Sequence, residues 1–512
     1  MNDNLREEVP EAGPAARDEA ISEAAVRDAL QRQPHVLMKL AENALTVAES
    51  IRDNYFRNTA RFVSSIRTAM RKAQRGQREQ LLTTRDVSDV GWPDYQNEVV
   101  TFIDGGVGQV HISSQVPILL RVGSYSVRTG ERRIAEREQF GYYPVVLGDI
   151  EGGSKDRKDF IDIVRITAEL LGGLSALERS DDLRMLMFHG PLVYLVGSYA
   201  GHTPFTENDI DLFLHQYATT PQAGQDLKEE FLEEARVHIY PRMVPDRCDE
   251  WSRRRVFEPL AWMAFLYRRL ITGARKKTPV PIIAGVVERG ASREFSERVL
   301  LERIFQGLRK KENVDYFNVM FGRTDLTSPK AVLDKLGYTD TLLLAMLLSP
   351  GQQTEPWQMG KYVGLRDGRN NPDGNVSLPG ESFRTPVDFS ALKPGPCGFP
   401  NVSGCYVHVS ETTEPVRVEV LSDLGEEQVE EAARRVYLYS RLLPGYGFPI
   451  GLDIADKYAH VPAWLTNAYS KLIKHHLGVS LQRGEINDAE MRRILVQAIY
   501  ITHRDWLFRP EA

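Results

Sequence analysis

The run EVVTFIDGG over residues 98–106 constrains this chain most. It is a dense apolar stretch that stops on Asp104, followed at once by Gly105 and Gly106. An apolar run of that length, bounded by glycine, predicts a buried strand. Its close predicts a rigidly held carboxylate beside backbone that a phosphate or another chain segment can approach closely. Two more strand candidates follow, VGQVHIS and QVPILLRVGSYSV, in the shape of a β-meander. Residues 158–178 carry helical periodicity, and MLMFHGPLVYLVGS (185–198) reads as a buried strand followed by a turn. Helical segments over 225–275, a strand in PVPIIAGVVE (279–288) and the amphipathic helix SREFSERVLLERIFQGLRKK come next. The apolar YTDTLLLAMLL, a hairpin of GCYVHVS with PVRVEVL, and a helix over 425–442 complete the pattern. Strands clustered early with helices interspersed predict an α/β fold, a mixed sheet flanked by helices.

The chain divides along its length by composition. Residues 1–35 are acidic, Ala-rich and nearly free of aromatic residues, which predicts disorder. Residues 36–90 read as a helical extension carrying the basic run Arg67, Arg71, Lys72, Arg75 and Arg78, either a solvated face or a contact for DNA or a partner. The main domain is expected over 91–480. Within it, 350–400 is rich in Pro, Gly, Asn and Asp and reads as a long loop insertion. Residues 481–512 read as a helical C-terminal segment. No apolar run approaches the roughly 18 residues that cross a bilayer. The acidic N-terminus has no hydrophobic signal core. Three cysteines without paired spacing (Cys248, Cys397, Cys405) fit a reducing cytoplasm. A net charge of -6 excludes a surface coated all over by nucleic acid, although a local basic groove remains compatible with it.

Several acids could carry chemistry. Asp104 at a strand end suits metal-dependent phosphodiester hydrolysis, which needs carboxylates converging on divalent ions; Asp-Gly is also a common hairpin dipeptide. Glu169 lies four residues after Arg165 on the predicted helix. It is either half of a surface ion pair or a second acid aimed across the sheet at Asp104. His189 sits where a buried strand meets a turn, as a core histidine or a ligand. Asp340 either caps the helix after it or binds metal. Asp453 and Asp456 open a helix, where acids favour the dipole in any case. Arg128, Arg132, Arg133 and Arg137 could line a DNA strand. Tyr446 could stack on a base or orient a phosphate, or belong to the core.

In their order along the chain these segments resemble the NurA nuclease family. The resemblance rests on Phe102-Ile103-Asp104-Gly105-Gly106, then Arg165 and Glu169, then Phe188-His189-Gly190-Pro191-Leu192. It continues through PIIAGVVERGASRE, TDTLLLAMLLSPGQQTEPW, YVHV with PVRVEV, and GYGFPIGLDIADKYA. It spans about residues 92–475. One departure stands out: His189 occupies the place of an acid in the second motif. The family's late histidine is also absent, with Asp456 at the matching place and Asp453 and His460 as nearby alternatives. The resemblance implies a ribonuclease H-like core and a homodimer. It also implies cleavage of DNA ends with Mn2+ or Mg2+ and docking to a hexameric HerA-type ATPase in end resection, repair or phage defence. By it Asp104, Glu169 and His189 are catalytic, and Asp104, Glu169, Asp456 and Asp340 hold metal. Arg128, Arg132, Arg133 and Tyr446 would touch DNA.

A rival signal lies in LVGSYAGHTPFTENDIDLFL (195–214). Gly197 and Ser198 could open a helix and grip a nucleoside triphosphate. Asp209 and Asp211, two apart on a strand, would share a face and bind metals. This would make a nucleotidyltransferase. A third reading is a non-catalytic adaptor of a ring ATPase, with His189 marking a decayed site.

Overall fold

The computed structural model describes residues 31–32, 34–75, 81–110, 118–147, 154–192, 205–217, 220–236, 256–257, 259–288, 290, 292–309, 316–359, 400, 402–425 and 427–500. Two compact units are distinguished: residues 69–476, and the helical segments described within 1–68 and 477–512. Among the described residues the strands are β1 Thr84–Asp86, β2 Val99–Gln109, β3 Ile118–Arg128, β4 Glu138–Leu147, β5 Leu183–His189, β6 Phe205–Thr206, β7 Val256–Phe257, β8 Ile282–Val287, β9 Gln352–Thr354, β10 Trp357–Gln358, β11 Val402–His408 and β12 Val416–Leu421. The helices that matter below are α1 Pro34–Ser50, α2 Arg57–Arg75, α3 Ser154–Arg179, α4 Glu207–Tyr217, α5 Pro221–Glu234, α6 Pro259–Arg275, α7 Glu302–Arg309, α8 Asp340–Leu347, α9 Gln428–Ser440, α10 Ile450–Ala459, α11 Ala463–Gln482 and α12 Ala489–Tyr500.

One large mixed sheet organises the main unit, in the order β1-β9-β11-β12-β8-β5-β2-β3-β4, with β10 also paired to β11. The strands β2, β3 and β4 form an antiparallel meander, as the alternating segments predicted. Two further strands lie parallel to β2: β5 pairs with it and β8 pairs with β5. The β11–β12 hairpin then closes antiparallel onto β8. Parallel strands buried on both faces read as continuous apolar runs, which is why IIAGVV of β8 is buried throughout.

One face of the sheet presents Val100, Phe102, Met185, Met187, Val286 and Val418 to α9 and α10 in a single buried cluster. Each such side chain removed from water contributes about 1.5–3 kcal/mol. On β2 and β3 the helix α3 packs, and α6 packs against α3. This is the mixed sheet flanked by helices that the sequence predicted.

Three expectations change. The segments 98–106 and 107–113 are not two strands, because β2 runs unbroken to Gln109. The predicted helical extension over 36–90 ends at Arg75, and Thr84–Asp86 already pairs with β9 at the sheet edge. Asp209 and Asp211 lie on the helix α4, not on a strand. The expectations for residues 1–30, Arg78, 193–204 (with Gly197 and Ser198), Cys248, most of the 350–400 insertion with Cys397, and 501–512 lie outside the described residues.

Candidate metal centre

Asp104 and His189 are brought together by strand pairing. Ile103 is in register with Phe188 across the parallel β2–β5 pair, so the next residues, Asp104 midway along β2 and His189 at the C-terminal end of β5, stand side by side, and the expected strand end at Asp104 is replaced by a strand that runs on past it. Both share a face with the apolar residues two and four positions before them. Asp104 is 6% exposed. Its Oδ1 accepts the Gly105 N–H at 2.8 Å, and its Oδ2 lies 3.0 Å from His189 Nδ1. The other side of the imidazole is braced by the buried Phe448 ring, 5.3 Å between centroids.

The third member comes from α10, and glycines set its height. A Cβ on Gly106 would lie 2.1 Å from the Ala459 carbonyl oxygen, and a Cβ on Gly123 would lie 2.1 Å from that of Ala455. A Cβ on Gly451 would strike the Phe102 ring at 2.4 Å. Only glycine at these places lets the helix backbone lie directly on the sheet. Asp456 is thereby lowered beside Asp104 and His189. One ligand atom from each of Asp104, His189 and Asp456 lies within 4.8 Å of the others.

Glu169 borders this group from the opposite side of β2. Gly105 makes room for it, since a Cβ there would lie 2.5 Å from Glu169 Oε1. Arg165 Nη1 donates to the same oxygen at 2.5 Å. The pairing expected from the sequence is therefore present, but buried rather than on the surface.

The electrostatics follow from this crowding. Burial, with the Asp104 charge adding to it, pushes the Glu169 carboxyl up to about 7 against the opposing pull of Arg165. The Asp456 carboxyl is raised by burial and by the bond to and charge of Asp104. Burial pushes the His189 imidazole down, but the Asp104 bond and the charges of Asp104, Asp456 and Glu169 outweigh it, and the net shift is upward. Carboxylates this close repel one another unless a proton or a cation lies among them. Two carboxylates and an imidazole are a donor set for a divalent cation, and the residues present fit one.

Other expected site residues lie elsewhere. Asp340 is fully buried. It accepts the Phe295 and Ser296 N–H groups at 3.1 and 2.7 Å and the Tyr406 hydroxyl at 2.9 Å. Its oxygens are thus occupied at the start of the helical stretch leading into α7, which corrects the metal-ligand expectation for it. The cap of its own helix is Thr339. Arg128 pairs with Asp182 at 2.6 Å and is in register with Val99, the first residue of β2 and five residues from Asp104. Arg132 and Arg133 follow it there, and Arg133 is engaged with Glu131. Tyr446 does lie near the site and is half-exposed. Its hydroxyl is pushed well up by burial, by its bond to Asp453 and by the charges of Glu288 and Asp456. His460 is exposed at the end of α10, its carbonyl accepting from Arg121 at 3.2 Å.

The triphosphate reading loses its carboxylates. Asp209 Oδ2 accepts the Thr206 N–H at 2.8 Å and its hydroxyl at 2.7 Å, while Asp209 N–H donates back to Thr206 Oγ1. That is a helix-capping box. Asp211 is paired with Lys228 at 2.6 Å. Two apart on a helix, the two acids point about 200° apart and cannot share an ion.

Fold and site together define a class: an α/β protein whose carboxylate–histidine cluster, drawn from two adjacent parallel strands and a helix, can hold a divalent cation. The NurA domain model matches residues 98–461, from the start of β2 to just past α10. The chain belongs to the NurA family. No curated protein matches it. Among solved structures, the NurA nuclease from Sulfolobus solfataricus is 12% identical with a TM-score of 0.45, over 86% of this chain and 98% of that one. A NurA with manganese is 9% identical at a TM-score of 0.35, over 86% and 97%. A NurA bound to dAMP and manganese is 13% identical at 0.26, over 84% and 92%. Likenesses this distant say nothing about individual residues.

Three contributors escaped the sequence reading: Phe448, which backs His189, and the glycines 123 and 451. The pair Gly105-Gly106 did signal close backbone approach.

Proposed function

We propose that this chain is a metal-dependent DNA nuclease that hydrolyses phosphodiester bonds at DNA ends, using a divalent cation held by Asp104, His189 and Asp456. One observation carries the reading: ligand atoms of these residues, drawn from β2, β5 and α10, converge within 4.8 Å. The NurA proteins seen with manganese, and with dAMP and manganese, accord with it. When bound, the cation supplies Lewis-acid stabilisation of phosphoryl charge and a more acidic water. An imidazole in the donor set favours manganese over magnesium.

The protein's own groups do the rest. The Gly105 N–H fixes one Asp104 oxygen and leaves the other facing His189. Phe448 excludes water from one face of the imidazole. Arg165 holds Glu169 Oε1, and a carboxyl titrating near neutrality is suited to take up a proton. Tyr446 stands at the rim as a contact for DNA. The meander β2–β4 with parallel β5 and β8 is the ribonuclease H-like core in this proposal. A homodimer docked on a HerA-type hexameric ATPase, in the cytoplasm, completes it from the family resemblance.

The test is degradation of end-labelled linear duplex with Mn2+ or Mg2+. Wild type degrades it, more readily with Mn2+, and Asp104→Ala falls to background. Undiminished cleavage by Asp104→Ala overturns the proposal. So does a wild-type protein that binds a ring ATPase and cleaves nothing.

A further inference from the structure

A buried polar chain outside the metal centre ends three residues from His189. Glu419 on β12 is fully buried. Its Oε2 accepts the Leu192 N–H at 2.8 Å, and its Oε1 accepts from Arg417 Nε at 2.8 Å. Arg417 is also hydrogen-bonded to Tyr406, whose hydroxyl donates to Asp340. Every link is shielded from water. The alternation of β12 puts Arg417 and Glu419 on the face opposite Val418 and Val420, away from the cluster that contains His189.

The turn that Glu419 grips is fixed on several sides. Gly190, at φ +102°, donates its N–H to Val286 at 2.8 Å. The turn folds back so tightly that a Cβ on Gly285 would lie 2.6 Å from the Leu192 nitrogen. The Leu192 carbonyl accepts the buried Tyr267 hydroxyl at 2.8 Å. Both backbone groups of Leu192 are thus held by side chains from other elements. A hydrogen bond from backbone N–H to a carboxylate is roughly twice as strong as a neutral one. Burying the ion pair that supplies this carboxylate is expensive and, as pure stabilisation, often neutral. Geometry is what the arrangement gains.

We infer that Glu419 is a positioning residue: by gripping the Leu192 amide it fixes the turn leaving β5, and with it the placement of His189 against Asp104 and Asp456. The inference rests on reading those three residues as a cation site. Groups that orient a metal ligand from outside typically set affinity by about 10–100-fold.

The experiment uses the full chain and Mn2+ alone. Mn2+ affinity is read by electron paramagnetic resonance, and exchange of the Leu192 amide is read in metal-free protein. Arg417→Met/Glu419→Leu removes the pair while filling its volume, which leaves neither member of the pair buried without the other. In this variant Leu192 exchanges at least about 10-fold faster and Mn2+ binds about 10–100-fold more weakly. A folded double variant with wild-type exchange and wild-type affinity overturns the inference. Should the double variant not fold, Glu419→Gln decides, since it keeps an acceptor but loses the charge. A drop in Mn2+ affinity of about 3–10-fold supports the inference, and unchanged affinity overturns it. If wild type shows no Mn2+ binding that His189→Ala removes, the cation-site reading fails, whereas the Leu192 exchange still reports on the grip of Glu419.

Discussion

Replacing Gly106 by alanine places a Cβ 2.1 Å from the Ala459 carbonyl oxygen and 2.7 Å from its carbon. Ordinary contacts between such atoms are about 3.5 Å. The obstructing atoms are backbone, so no rotamer change relieves the clash, and α10 must rise from the sheet by roughly 1 Å. Asp456 sits one turn before Ala459 and rises with it, while Asp104 and His189 stay on their strands. Overpacking of this kind destabilises by about 1–3 kcal/mol, which a main unit of this size survives. The effect on chemistry is larger, because a misplacement of about 1 Å lowers rate about 100-fold. The assay is Mn2+-dependent degradation of linear duplex, run beside thermal melting. The control is Gly478→Ala on α11, where a Cβ meets nothing within 4 Å. That variant keeps its rate and gains up to about 1 kcal/mol. A Gly106→Ala protein that melts like wild type and cleaves within about 3-fold of it refutes the claim that glycine sets the height of Asp456.

Two further outcomes follow from the same geometry. Asp209→Ala loses its capping box and about 1 kcal/mol of stability but leaves DNA cleavage intact; loss of cleavage in a folded variant contradicts the capping assignment. Glu169 titrates near 7 in the folded chain against an ordinary 4.5. Its folded form thus favours the proton, and the stability this lends is complete below 4.5 and lost as pH rises through 7. Melting of chelator-treated wild type therefore falls relative to Glu169→Gln across that window, and parallel pH profiles refute it.

The site was half legible. Asp104 announced itself because an apolar run that stops on an acid and two glycines is a local pattern, although the strand itself runs on to Gln109, and Glu169 because helical spacing set it four residues from Arg165. His189 and Asp456 emerged only from the order of motifs, since nothing local separates a ligand from a core histidine or a helix-opening acid. Asp340 misled because an acid at a helix start looks alike whether it faces an ion or the N–H groups of a different helix. Asp209 and Asp211 misled because Asp-x-Asp shares one face on a strand and two on a helix, and the sequence does not say which it will be. Glu419 stayed hidden for a related reason. Arg-Val-Glu in an alternating strand predicts a solvated face, and only the fold shows that the turn after β5 lies against Glu419.

The three proposed ligands stand at positions 104, 189 and 456 of the chain. A polypeptide emerging from the ribosome therefore carries the first two long before the third exists. Until α10 has been made and seated on Gly106 and Gly123, the cluster lacks one of its two carboxylates. On the proposed reading, a chain that stops before Asp456 lacks the third ligand, so cleavage would be acquired only late in synthesis.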